Sequence, residues 1–238
     1  MKLISFTIMV LFIFPQLNSA QNRDLGSWNI IHLKYSQTEN LSIFGEAQLR
    51  SLKFYNHFHY YEYKGGINYK IHNNVKLTIG MGNYQTYKEG GDFVLPKNNS
   101  EFRVWPQVIL FQSLGEFKIE QRYRSESRWT SNGFRNRFRY RFGFTYPFGN
   151  EQKGFRPYQV SVANEIFFTN KEPYFERNRF LIALNCKPSK AISLQIGYLY
   201  QFDYKINDET GRDFLVLGFF FDISRKSTSK QEREIQDN

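Results

Sequence analysis

Between Phe134 and Tyr146 the chain alternates with a period of two. Phe134, Phe138, Tyr140, Phe142, Phe144 and Tyr146 fall on one side, broken only by Asn136, while Arg135, Arg137, Arg139 and Arg141 fall on the other. That period belongs to an extended strand, whose successive side chains point to opposite faces. The two faces restrict what such a strand can join. Four arginines in a row cannot enter an apolar core without partners, and the aromatic face is too apolar for water. A sandwich of soluble type has no ready place for either. A strand with lipid on one side and a polar interior on the other has a place for both.

The segment before it repeats the arrangement. Phe117, Ile119 and Tyr123 alternate with Lys118, Glu120, Arg122, Arg124, Glu126 and Arg128, so two neighbouring strands are expected to share a charged side. The same rule sets Leu41, Ile43, Ala47 and Leu49 against Glu46, Gln48 and Arg50, and Tyr61, Tyr63, Ile67 and Tyr69 against Glu62, Lys64 and Asn68. Val75, Leu77, Ile79 and Met81 stand against Lys76 and Thr78. Segments 102–111, 158–168, 179–187, 191–202 and 214–221 are bounded by Gly, Pro, Asn, Asp or Ser and read as further strands. Their lengths are near the roughly 9 to 11 residues that cross a bilayer at a tilt.

The expected fold is therefore all-β, a single antiparallel transmembrane-type β-barrel of about 10–12 strands over residues 21–221. With Trp28–Tyr35 the segments number eleven, but single-chain bacterial barrels have an even number of strands and both ends in the periplasm. The sequence thus predicts about ten strands with 28–35 as a lead-in, or about twelve with one strand hidden or split. Tight connections at 71–74, 112–115 and 188–190 alternate with longer ones at 86–100, 169–176 and 205–211. That alternation matches short periplasmic turns and longer external loops. No linker or internal repeat divides this stretch, and the polar residues 222–238 read as a disordered tail.

Lys2, the apolar run Leu3–Phe14, Pro15 and the exit Asn18-Ser19-Ala20 predict a secretory signal over residues 1–20, with the mature chain starting near Gln21. No later apolar run approaches about 18 residues, which excludes a helical membrane protein. The mean hydropathy of -0.56 does not argue against a barrel, because only every second residue of its strands meets lipid. The single cysteine, Cys186, forbids an internal disulfide and reads as a small hydrophobe in an apolar strand. A formal charge of +10 would ordinarily suggest nucleic acid, but export directs it instead to anionic lipid, acidic sugar or a charged lumen.

The runs Glu101-Phe102-Arg103-Val104-Trp105-Pro106-Gln107, Arg122-Tyr123-Arg124-Ser125-Glu126-Ser127-Arg128 and Arg135-Asn136-Arg137-Phe138-Arg139-Tyr140-Arg141, followed by Asn178-Arg179, resemble the bacterial family called domain of unknown function 2490. The resemblance covers essentially the whole mature chain. It implies a small barrel in the outer membrane of a Gram-negative bacterium, inserted by the barrel-assembly machinery, and brings no activity with it. Alternating arginine and glutamate on aromatic strands is shared with porins for acidic oligosaccharides. The tail after Phe221 departs from barrels that end on their last aromatic residue.

With the aromatic faces toward lipid, Glu101, Arg103, Glu120, Arg122, Arg124, Glu126 and Arg128 are expected to line the interior, together with Arg135, Arg137, Arg139, Arg141, Glu165 and Arg179. Glu46, Arg50, Glu62, Lys64, Lys76 and Lys118 join them, and bases outnumber acids. Arginine–glutamate pairs across strands would rigidify a closed barrel, since guanidinium offers a planar fork of donors. The surplus arginines need water or an anionic guest, which points to a narrow channel for anions or acidic oligosaccharides. Both readings stay open at this stage, beside a secreted carbohydrate-binding β-protein. His57 and His59 share a strand face by spacing, but neither a third metal ligand nor a serine partner accompanies them, so no enzyme and no cofactor are expected. The pairs Gly65-Gly66 and Gly80, Gly82 read as sites of bending or close packing.

Overall fold

A computed structural model describes residues 24–151, 154–204 and 210–225. The segment read as a secretion signal and the chain from 226 onward lie outside the described residues. The alternating segments form β1 (Leu25–Ser36), β2 (Leu41–Lys53), β3 (Asn56–His72), β4 (Val75–Lys88), β5 (Val94–Leu114) and β6 (Phe117–Thr130). They continue as β7 (Gly133–Phe148), β8 (Tyr158–Thr169), β9 (Phe175–Ser189), β10 (Ile192–Asp203) and β11 (Thr210–Ser224). Together they close into one barrel in which each strand pairs with its neighbours in the chain and β1 pairs with β11.

Eleven strands fall within the expected 10–12, and the odd number corrects the argument for an even count and for wholly antiparallel pairing. Trp28–Tyr35 is no lead-in: β1 pairs antiparallel with β2, from Trp28 opposite Arg50 to Ser36 opposite Ser42. On its other side it pairs parallel with β11, from Leu25 opposite Asp213 to Ser36 opposite Ser224. The reason is geometric. Along a chain of antiparallel hairpins the direction reverses at every step, so an odd number leaves first and last strands running the same way. Their seam must then use the slanted parallel ladder. Asp24 and Arg225 consequently lie at opposite ends, here called the N-terminal and C-terminal rims. β11 also runs to Ser224, into the stretch read as tail, and Asp222 accepts a 2.8 Å hydrogen bond from Lys34 Nζ across the seam.

The connections at 73–74, 115–116 and 190–191 sit at the C-terminal rim and those at 89–93 and 170–174 at the N-terminal rim, which also carries the two-residue turns 54–55 and 131–132; residues 205–209 lie outside the described residues. Two differences from the expected alternation stand out. The segment 86–100 is mostly strand, because β4 and β5 continue as a hairpin pairing Thr86 with Asn99, Tyr87 with Lys97 and Lys88 with Val94 through two irregularities. The longer connection 149–157 joins the tight turns at the C-terminal rim. Gly115 (φ 58°) and Gly133 (φ 98°) close the hairpins on either side of β6 in the left-handed region that favours glycine.

The outer face is apolar in continuous rows. Tyr35 stands beside Ile43, Ile43 beside Ile67, Ile67 beside Ile79 and Ile79 beside Pro106 across successive strands. Ile79 is 65% exposed and Ile43 and Ile67 about half. Inside, burial is uneven along the axis. Inward side chains near the N-terminal rim, such as Glu101, Glu126 and Arg137, are almost inaccessible, whereas Lys34, Arg141 and Gln195 toward the C-terminal rim are half-exposed.

Gly80 permits a close approach of backbone and ring in this interior. It pairs with Trp105, which has no exposed surface, and a Cβ built on Gly80 would lie 2.5 Å from the indole ring. Gly80→Leu is expected to displace that indole and destabilise the folded barrel by about 1–3 kcal/mol. The midpoint of urea unfolding, followed by the heat-modifiable gel band, checks this.

Candidate functional site: a cationic cup above an ionic plug

β6 and β7 meet in a register that faces arginine with arginine. Arg122 stands opposite Arg141, Arg124 opposite Arg139 and Arg128 opposite Arg135, and only Arg137 meets an acid, Glu126. Like charges directly opposed on one face repel. Only the Arg124–Arg139 opposition shares a carboxylate, Glu126 of β6, while acids from β5, β8 and β9 reach one member of each of the other two oppositions. Glu165 on β8 accepts from Arg122 Nη2 at 2.8 Å and from Arg139 Nε at 3.0 Å. Glu126 accepts from Arg139 Nη1 at 2.7 Å and from Arg137 Nε at 2.8 Å. Glu176 on β9 takes Arg137 Nη1 at 2.8 Å and Arg128 Nη1 at 3.0 Å, and Glu101 on β5 bonds both Arg128 and Arg103. The result is an unbroken chain of alternating charge, Arg103–Glu101–Arg128–Glu176–Arg137–Glu126–Arg139–Glu165–Arg122. Arg124 joins it at Glu126, 3.5 Å away.

A second chain crosses β1 to β3. His32 contacts Glu46, Lys64 bridges Glu46 and Glu62 at 2.6 and 2.5 Å, and Arg50 donates to Glu62 at 3.0 Å. Glu62 also accepts from the Tyr60 hydroxyl.

Aromatic rings add a second contact to several of the same arginines and one to Arg179, which has no ion pair among the described residues. The Arg50 guanidinium lies 3.4 Å from the Trp28 ring centroid and 4.0 Å from that of Tyr60, and Arg103 lies 3.6 Å from Tyr84. Arg124 covers Trp105 at 5.0 Å. Arg139 and Arg179 cover Phe167 at 4.6 and 4.8 Å. Such contacts are worth about 0.5–2 kcal/mol when desolvated. The expectation that aromatic faces turn to lipid therefore needs correction: Trp28, Tyr60, Tyr84, Trp105, Phe167 and Phe214 are buried within the barrel. A ring face is a third way, besides water and an anionic guest, to accommodate a cation. With the alternating chain, these rings fill the N-terminal half as a plug.

Toward the C-terminal rim the filling stops and a cavity of about 380 Å³ begins. Its wall contains eight lysines and arginines, among them Arg122, Arg124, Arg139, Arg141 and Arg179, against two glutamates, Glu46 and Glu165. Glu101, Arg103, Glu126, Arg128 and Arg137 lie below it in the plug. Arg135 lies nearer the N-terminal rim, where its buried Nε has no hydrogen-bond partner. Glu120 is half-exposed one alternate position nearer the C-terminal rim than Arg122. Of the four β7 arginines, the inner two bond carboxylates, whereas Arg135 and Arg141 make no ion pair among the described residues.

Sequence reasoning missed Glu176, Arg177 and Asp203. Glu176 was assigned to a loop, but β9 begins at Phe175 and an irregularity at Phe167–Phe168 lets both Glu176 and Arg177 reach the interior, where Arg177 bonds Asp203. The available signal was the alternation of Arg177 with Asn178 and Arg179, which extends the strand backward. His57 and His59 do not form the regular pair their spacing suggests. The ladder shifts register between Arg50 and Ser51, paired with Tyr60 and Phe58, and leaves His59 unpaired between them. Cys186 lies on β9 as a free thiol, opposite Tyr158 and Leu194.

Residues 25–212 match the sequence model of a family described as protein of unknown function, DUF2490. A search of the curated proteins returns no match.

Glu126 bonds two arginines from a position with no solvent exposure. Glu126→Ala is expected to cost about 3–5 kcal/mol by leaving those guanidiniums buried together. Glu120→Gln, at a residue without an ion pair, should change stability by less than about 1 kcal/mol. Urea unfolding of both variants in detergent distinguishes the two positions.

Proposed function

Because the chain belongs to the DUF2490 family, whose description assigns no activity, we propose a function from its interior: an integral barrel of a Gram-negative outer membrane, sealed across one half and holding an anion in a cup at the other. The exposed isoleucine rows of the outer face support the membrane reading, since water penalises a contiguous apolar belt and lipid covers it. Lipid is then the first partner, and folding into it calls for the barrel-assembly machinery.

The imbalance of eight basic side chains over two acids around one cavity carries the proposal. A surplus of cations in a partly enclosed space attracts small anions and discriminates against cations. The buried plug of Trp105, Phe167, Glu126 and Arg137 favours a closed barrel over a channel that passes anions or acidic oligosaccharides. Three two-residue turns at the C-terminal rim, against two at the N-terminal rim (54–55 and 131–132), support a periplasmic orientation for that rim and the mouth of the cup.

The reconstituted protein is expected to give no steady current in a planar bilayer; a stable anion-selective current would overturn the sealed reading and restore the channel. Orientation is checked with an impermeant maleimide on a Cys186→Ser background. Tyr55→Cys should label in intact cells, and Glu116→Cys only after the outer membrane is permeabilised. The reverse pattern would invert the orientation, and recovery of the chain in the soluble fraction would refute membrane insertion.

A further inference from the structure

The cavity has two unlike walls. Strands β10, β11, β1 and β2 are neighbours around the barrel and contribute six apolar side chains, Ile30, Phe44, Val216 and Phe220 among them, interspersed with the His32–Glu46 pair, Lys34, Gln48 and Gln195. Lys76, Arg122 and Arg141, on β4, β6 and β7, lie in the opposite part of the ring. Trp28, Leu199 and Val216 belong to a packed apolar cluster that Ile30 extends toward the mouth.

The cationic wall is where the alternating chain ends. Arg122 is its last member, and its Nε is buried without a hydrogen-bond partner. Arg141 faces Arg122 in register on one side and Glu165 on the other, but Glu165 is bonded by Arg122 and Arg139, and Arg141 has no ion pair, hydrogen bond or ring contact among the described residues. Lys76 covers the Phe111 ring at 5.3 Å and makes no ion pair there either. The nearby acids are accounted for. Glu165 is bonded by Arg122 and Arg139, Glu46 by Lys64 and His32, and Asp222 by Lys34. Glu120, half-exposed, is one negative charge facing three positive ones.

Building on the anion cup proposed above, we infer that its ligand is a small amphipathic anion, with one acidic head and a hydrocarbon or aromatic body. The head extends the alternation by entering between Arg122 and Arg141, where the planar guanidinium fork matches an oxyanion. The body lies on Ile30, Phe44, Val216 and Phe220. A hydrophilic polyanion uses only one of these walls fully and leaves the hydroxyls that meet those four side chains without partners. The volume, about 380 Å³, falls near the small end of ligand sites, which suits a single small molecule rather than a polymer.

Calorimetric titration of the full folded chain in non-ionic detergent, against detergent-only blanks, tests this with acetate, butanoate, hexanoate, 1-hexanol and trigalacturonate. Affinity should tighten about three- to fourfold per added methylene from acetate to hexanoate. Hexanol, lacking the head, should bind about tenfold or more weaker than hexanoate. Arg141→Gln should remove that advantage and leave hexanol unaffected, and Phe220→Ala should flatten the chain-length series; the heat-modifiable band verifies folding of each. Because Arg141 makes no ion pair, its replacement breaks none of the plug's bonds. Trigalacturonate bound more tightly than hexanoate, a flat series, or no binding at all would each overturn the amphipathic ligand. A hydrophilic anion bound in a barrel without current would leave the anion cup standing, whereas a steady current would overturn the sealed cup itself.

Discussion

Arginines facing one another across β6 and β7 set the terms for the whole interior. Two unit charges about 4 Å apart at an effective dielectric constant near 20 repel by roughly 4 kcal/mol, and three such oppositions occur on one pair of strands. That arrangement persists because carboxylates neutralise at least one member of each opposed pair. Glu101 arrives from β5, Glu165 from β8 and Glu176 from β9. The network therefore ties five consecutive strands together through their side chains, in addition to their backbone ladders. Its acids are buried and multiply bonded, which is the condition under which a buried charge is tolerated.

Aromatic rings supplement these acids. Trp28, Tyr60, Tyr84, Trp105 and Phe167 each lie beneath at least one guanidinium. A ring face offers weak electrostatic attraction and also occupies volume, so the same side chains that accommodate cations close the N-terminal half. The barrel is polarised along its axis as a result. One half is a solid of ions and rings, and the other is a cup whose cations have too few partners. The functional reading follows from that gradient, because a uniformly paired interior would leave nothing for a ligand to satisfy.

The odd strand count adds a second asymmetry. The parallel seam between β1 and β11 places the first and last described residues at opposite rims, so the barrel has no common base from which both ends emerge. Gly80 beneath Trp105 shows how closely backbone and plug fit elsewhere in the wall.

Much of this could be read in the chain itself. Alternation of aromatic with arginine in β6 and β7 specified extended strands and two incompatible faces, and the same period marks β2, β3 and β4, whereas strands such as Phe214–Phe221, apolar without a break, are legible only from the turn residues that bound them. Strand parity was misjudged, since nothing local distinguishes a strand that closes a parallel seam from one that closes an antiparallel seam. The bulge at His59 and the irregularity before β9 were equally hidden, because a one-residue shift is a property of two strands together. Glu176 became an interior acid for that reason, whereas Asp203 continues the inward alternation of Leu199 and Gln201 one residue beyond the expected end of its strand. The sequence by itself determined which residues share a face along each strand, because that depends on a period of two. Only the tertiary structure decided which carboxylate bonds which arginines, which rings turn inward and where the filling stops, because those depend on how eleven registers close into one ring.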